Sequence, residues 1–188
     1  MAERLDIAFA PLTAALEGAV CLLSAQDLAL GSVGRELNQR SGGAVMAAAE
    51  AADFKGKLKS MIELLAPSKL GIGRLHLLGT GHPSELAGLD VIGLGGLAYA
   101  GLASRKTASA SLVVDVPHLA SLSVAEAAAE LAYGALLRSY KFSKYLTRSE
   151  DSGNGNSGGN GAGSGGKLER LIVHVESPAA AEAAFARR

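Results

Sequence analysis

Gly161 to Lys167 reads Gly-Ala-Gly-Ser-Gly-Gly-Lys, the outline of a loop whose backbone N–H groups could cradle a phosphate. Such a loop needs a strand before it, a helix after it and a hydroxyl beside the lysine to reach magnesium. Leu168 holds the hydroxyl position and strand-like sequence follows, so the match is one of composition. Gly155 to Gly159 likewise sketches Gly-x-Ser-x-Gly around Ser157, but a nucleophile elbow requires a sharp strand-to-helix turn, and this stretch is only Gly, Asn and Ser. Gly79-Thr80-Gly81 fits its surroundings better, because it follows a strand-like run and precedes a helix-like one, where backbone amides could meet an anion. Ser84 replaces the third glycine of a dinucleotide fingerprint, and no acidic residue ends a following strand about 20 residues on, so a tight structural turn is the simpler expectation.

His76, His82, His118 and His174 lack the i, i+4 or clustered spacing of a metal site, and two of them lie inside predicted strands. Asp27, Asp53, Asp90, Asp115 and Asp151 are too scattered to announce a two-metal carboxylate cluster. A Ser-His-Asp set converges in space rather than in sequence, so spacing selects none. Cys21 is the single cysteine, which excludes an internal disulfide and a cysteine-held zinc and fits a reducing compartment. No catalytic, cofactor-binding or metal-ligating residue is assigned. Eighteen basic and eighteen acidic side chains cancel, which argues against a broad footprint for nucleic acid or anionic lipid. The basic groups that could still make a local DNA patch are Lys55, Lys57 and Lys59 with Arg138, Lys141, Lys144 and Arg148, and a solvated strand edge and helix end explain them equally well.

The elements that must position these residues alternate. Leu5 to Phe9 and Ala19 to Ser24 read as short buried strands, and Gly31 to Ala52 as two short helices or one broken at Ser41-Gly42-Gly43. Leu58, Ile62 and Leu64 alternate with Lys59, Met61 and Glu63 as on a half-buried strand, with Ser60 an imperfect member of the inner row. Arg74 to Leu78 is another strand, after which Pro83 and Ser84 offer a helix start for a segment reaching Ser104. Within that segment Leu86 to Ala103 has nearly the length of a membrane span, but Asp90 interrupts it and Gly93, Gly95 and Gly96 loosen it, so a buried helix is expected. Ser111 to Val116 predicts a strand blocked by Pro117, and Ser123 with Glu126 a capping box opening a helix to Ser139 with Val124, Ala128, Leu131 and Ala135 as its apolar stripe. Leu168 to Val175 regains strand character. Ser177 and Pro178 place a cap and an N1 proline on a last Ala-rich helix.

With 188 residues, one domain and something extra are expected. Alanine (35) and leucine (29) dominate and tryptophan is absent, so the core is one of small aliphatic groups. Strands alternating with helices predict an α/β fold of three layers, a mixed and mostly parallel sheet with helices on both faces. Residues 1–176 are expected to form this domain, with a disordered Gly/Asn/Ser-rich loop at 149–167. Residues 177–188 read as the beginning of a helix that leads into a longer protein. Met1 to Asp6 carries charges of both signs and no long apolar run, so no signal peptide is expected and the cytoplasm is the simplest address.

Three segments occur in one order: Phe54-Lys55-Gly56-Lys57, Leu77-Leu78-Gly79-Thr80-Gly81, and Leu136 to Tyr145 ending Ser-Tyr-Lys-Phe-Ser-Lys-Tyr. Together they resemble the N-terminal domain of the leucine (cytosol) aminopeptidase family, in which "F-K-G-K" precedes a strand, a strand ends in "Leu-Gly-x-Gly" and a helix ends in "Tyr-Arg-Phe-Asp-Lys-Tyr". Lys141, Ser143 and Thr80 depart from the family's usual Arg, Asp and Leu, and the glycine-rich insert is unusually long. The resemblance implies a macrodomain-like fold joined, through a helix beginning at Pro178, to a C-terminal catalytic domain that carries two divalent metals (Zn or Mn) and removes N-terminal residues from peptides. The family's metal ligands and catalytic arginine belong to that domain, whose "Asn-Thr-Asp-Ala-Glu-Gly-Arg" motif is not in these residues. For this chain the resemblance implies a non-catalytic domain that helps arrange subunits in a homo-oligomer (hexamer) and shapes access to the active sites. Its partners would be its own catalytic domain and other subunits, with peptide reached only through the catalytic domain and no membrane. The alternatives are a module binding ADP-ribose in the crevice at the strand ends, a reading of fold analogy alone, and an accessory DNA-binding domain.

Overall fold

The computed structural model describes residues 5–83, 86–103, 107–116, 119, 121–140 and 168–188. The 149–167 loop, both glycine motifs within it, Ser84, Pro117, His118, Lys141, Lys144, Arg148 and the end of the third family segment lie outside these residues. Among the described residues the strands are β1 (Asp6–Pro11), β2 (Ala19–Ala25), β3 (Ala29–Leu30), β4 (Met61–Leu65), β5 (Arg74–Gly81), β6 (Ser109–Val114) and β7 (Arg170–Val175). They form one sheet in the order β1-β7-β6-β2-β5-β4, with β3 paired to β2 off this path. β1-β7, β7-β6, β6-β2 and β2-β5 are parallel, whereas β4 and β3 run antiparallel to their neighbours, so the sheet is mixed and mostly parallel as the alternation predicts.

Helices α1 (Ser32–Arg40) and α2 (Ala44–Ala51) cover one face, and α3 (Gly88–Leu102), α4 (Val124–Ser139) and α5 (Pro178–Phe185) the other. Two apolar clusters result. Cys21, Leu23, Leu78, Leu112 and Val173 face α3 and α4, while Val20, Leu22, Leu75, Leu77 and Val113 face α1 and α2. The central strands are buried on both faces, which is why they read as apolar runs rather than as alternation.

α3 and α4 touch backbone to backbone. A Cβ on Gly95 would stand 2.0 Å from the Leu131 carbonyl oxygen, and one on Gly134 would stand 1.9 Å from that of Ile92. The glycines that loosen Leu86 to Ala103 as a span are therefore what allows two helices to approach closely, and among the described residues no helix is long and apolar enough to cross a membrane. The Ser123–Glu126 capping box forms as read, with Glu126 Oε2 accepting from the Ser123 N–H at 3.0 Å and Ser123 Oγ from the Glu126 N–H at 3.3 Å. The α4 stripe is wider than four residues because α3, α5 and the sheet each take a side, burying Ala127 to Ala132 without a break.

Several boundaries differ from the reading of the sequence. β1 is half-exposed rather than buried, because it is an edge strand paired only to β7. The strand around Ile62 begins at Met61: Lys59 adopts φ 64° and breaks the alternation, so Leu58 packs on the α3 face while Ile62 and Leu64 belong to the other. α3 starts at Gly88 rather than at Pro83-Ser84, where Asp90 Oδ2 accepts from the Ala87 N–H at 3.2 Å and so serves the first turn. Ser177 precedes α5 but makes no side-chain capping bond, leaving Pro178 at N1 as the start signal. α5 itself packs on α4 and β1, with the Phe185 and Phe9 rings 5.7 Å apart at 58°.

Candidate functional site

In parallel α/β sheets a ligand site lies outside the carboxyl ends of the strands, where neighbouring connections diverge to opposite faces. Here that place is around β2, whose partners β5 and β6 lie on either side of it. Two things occupy it. The first is the segment after Phe54, whose side chain is buried beneath it. Gly56 (φ 68°) crosses β2 so closely that a Cβ would stand 2.1 Å from the Ala25 carbonyl oxygen, and a Cβ on Gly79 would stand 2.1 Å from that of Lys57. Four backbone hydrogen bonds seal the crossing: Asp27 N–H to Lys55 O at 3.0 Å, Lys59 N–H to Gly79 O at 3.0 Å, Gly79 N–H to Ser60 O at 2.8 Å and Gly81 N–H to Gly56 O at 2.9 Å.

This geometry corrects the reading of Gly79-Thr80-Gly81. The three residues form the end of β5, seven positions before Gly88, the Gly79 and Gly81 amides bond to the 56–60 segment, and the buried Thr80 hydroxyl donates to Ser24 O at 3.3 Å. Nothing of them is presented to an anion.

The second occupant is Asp115, immediately after β6. Its Oδ2 accepts from the Val33 N–H at 2.8 Å, and the space a Gly31 Cβ would need is filled by that carboxylate, 2.1 Å away. The N-terminus of α1, where a phosphate would sit, thus holds the protein's own anion. Burial pushes the Asp115 carboxyl above its ordinary range, against the lowering by the Val33 and Gly34 amides. Neither occupant was legible in the sequence, because Asp115 lies 82 residues from Val33 and Gly79 twenty-odd from Gly56.

One nucleophile-like pair does converge. His174 Nε2 lies 3.2 Å from Ser111 Oγ, and Nδ1 lies 3.4 Å from Pro11 O. Ser111 Oγ also accepts from the Glu17 N–H at 2.8 Å and donates to Glu17 O at 3.1 Å. In the Nε2–H tautomer, donation to Glu17 O leaves both lone pairs of the hydroxyl to Glu17 N–H and His174 Nε2–H, and the bare Nδ1 then makes no hydrogen bond to Pro11 O. Ser111 and His174 are both fully buried, and the hydroxyl has no capacity left for a substrate. The pair fastens the 12–17 loop, with Leu12 and Leu16, onto the α1 side of the sheet.

The remaining candidates stay apart. Lys55 pairs with Asp53 at 3.1 Å and Lys59 with Asp90 at 2.8 Å. Lys59 and Arg138 stand beside Gly93 and Gly96 of α3 respectively. Cys21 is completely buried and its thiol is pushed up to about 12, which makes it inert. Among the described residues no three His, Cys, Asp or Glu side chains gather to hold a metal ion.

A model of the cytosol aminopeptidase family, N-terminal domain, matches residues 20–149. A probable cytosol aminopeptidase of Xanthobacter autotrophicus is 37% identical over 151 residues, covering 80% of this chain and 30% of that protein. One from Rhodopseudomonas palustris is 31% identical over 185 residues, 98% of this chain and 34% of its own length. Among solved structures, a mutant of tomato leucine aminopeptidase superposes with a TM-score of 0.73 at 22% identity over 99% of this chain and 36% of its own, and the bottromycin maturation enzyme BotP with 0.58 at 14% over 89% and 29%. The chain thus spans about a third of the length of the proteins it matches.

Proposed function

Because the chain belongs to the cytosol aminopeptidase family by its N-terminal domain, we propose that it is the non-catalytic domain of a two-metal leucyl aminopeptidase of the cytoplasm, serving subunit arrangement and access to the active sites. The observation that carries the reading is the family match over residues 20–149, set against relatives about three times as long. The two divalent metals do not fit the described residues. Asp90 and Asp115 are engaged at helix starts, Asp53 holds Lys55, and the described histidines stand on separate elements. The ions belong to the catalytic domain in this reading, and no step of the reaction is routed through this chain. An architectural role is supported by the α3–α4 surface, where the exposed Leu137 lines a shallow groove of about 500 Å³ with Gly93 and Gly96. Such surface is what a domain offers to a neighbouring domain or subunit.

The test is an assay of purified 1–188 with leucine p-nitroanilide and added manganese or zinc. No hydrolysis above the metal blank is expected, and turnover at a rate like that of a complete family member would overturn the proposal.

A further inference from the structure

His76 is the one described histidine buried with neither ring nitrogen hydrogen-bonded. It sits on β5 directly across from Glu63 on the edge strand β4, and Nε2 lies 3.8 Å from Glu63 Oε1. The same carboxylate oxygen is held by the Arg74 guanidinium, two residues back along β5. Above the ring comes the end of α3: a Cβ on Gly101 would stand 3.4 Å from His76 Nδ1 and 3.0 Å from Met61 Sδ. From β2, Cys21 lies beside His76 in register and carries no charge. Among the described residues the groups facing the imidazole are therefore one carboxylate already committed to Arg74, that guanidinium, a neutral thiol, the Met61 side chain and a glycine of the helix.

We propose that Arg74, Glu63 and His76 form a proton-operated latch on the β4 edge, closed while His76 is neutral and released when acid protonates it. Neutral imidazole is tolerated there because it is packed as an apolar ring under Gly101 and Met61. Imidazolium would be a buried cation 3.8 Å from an anion that Arg74 already neutralises, so the proton is better accommodated once β4 has parted from β5 and water reaches the ring. Burial keeps the His76 pKa below its ordinary value, outweighing the pull of Glu63. The sign follows. The opened form binds the proton at about 6.5 and the closed form only lower, so closure is complete above that value and weakens as the pH falls through it. The device stands apart from the aminopeptidase reading, since it needs only these residues.

Amide exchange of residues 61–65 in the 188-residue chain, corrected for the intrinsic rate, tests it. Between pH 7.5 and pH 5.5 the opening of β4 should increase up to about tenfold, the ratio that linkage gives for a group of ordinary pKa about 6.5 in the open form. In His76→Leu the same correction should leave a flat profile, and Glu63→Gln should steepen it by removing the carboxylate that faces the ring. An equal rise in His76→Leu would overturn the latch. Should that variant not fold, the imidazole proton resonances of His76 in the unaltered chain decide: a midpoint below about 6.5 supports the latch, and one at or above it overturns it.

Discussion

At the scale of single residues, the half-buried Asp115 and the buried Ser111 and His174 tie distant stretches together, and each gives a measurable contribution. Asp115 caps α1 across 82 residues, so Asp115→Ala should cost about 1–2 kcal/mol in urea unfolding, while Asp115→Asn, which still accepts from an N–H and has no charge to desolvate, should stay within about 1 kcal/mol. The pH dependence separates them. Burial raises the Asp115 carboxyl, so the fold takes up its proton more readily than the open chain does, and its contribution is greatest in acid and declines as pH rises through the folded value. Asparagine removes that slope. Ser111 satisfies the Glu17 N–H, the Glu17 carbonyl and His174 at once, so Ser111→Ala strands three groups and should cost about 1–3 kcal/mol. Burial lowers the His174 pKa, so this contact holds above about 6.5 and weakens on acidification. A fluorophosphonate probe should leave Ser111 unlabelled, because its hydroxyl is buried and fully used.

At the scale of elements, glycines stand where backbone meets backbone. Gly79→Ala would drive a methyl into the Lys57 carbonyl oxygen and should cost about 3 kcal/mol or abolish folding, whereas Gly73→Ala, with nothing within 4 Å, should be neutral in the same denaturant titration. In this chain Phe54-Lys55-Gly56-Lys57 and Leu78-Gly79-Thr80-Gly81 are thus the two sides of one crossing over β2. The elements themselves were largely legible. The Ser123–Glu126 box, the apolar β2 and β7 and the break at Gly43 (φ 88°) carry local signals that packing did not override. At Lys59 the deciding contact lay outside the window, whereas at α3 it is local. Lys59 takes a left-handed conformation because its N–H reaches Gly79 O, and α3 is delayed to Gly88 because Asp90 serves its first turn. Asp115 was visible only as one of several scattered carboxylates, since a cap supplied from another strand has no spacing to recognise.

For the molecule as a whole, the question is whether the fold keeps the ligand crevice of an open α/β sheet. A diphosphate bound there would need the free amides at the start of α1 and open space above the ends of β2 and β5. The amide of Val33 is taken by Asp115, whose charge would repel the ligand, and the space is taken by the 55–60 segment, bonded to Asp27 and to the end of β5. Opening it would mean breaking four backbone hydrogen bonds and uncovering Phe54, a cost no single small ligand readily offsets. Calorimetry of ADP-ribose into 1–188 should accordingly be flat at millimolar ligand, and the thermal midpoint should not move. Micromolar binding would contradict the sealed crevice directly. Binding that appeared only in Asp115→Ala would instead locate the obstacle in that carboxylate, and would show that the backbone crossing alone does not close the site.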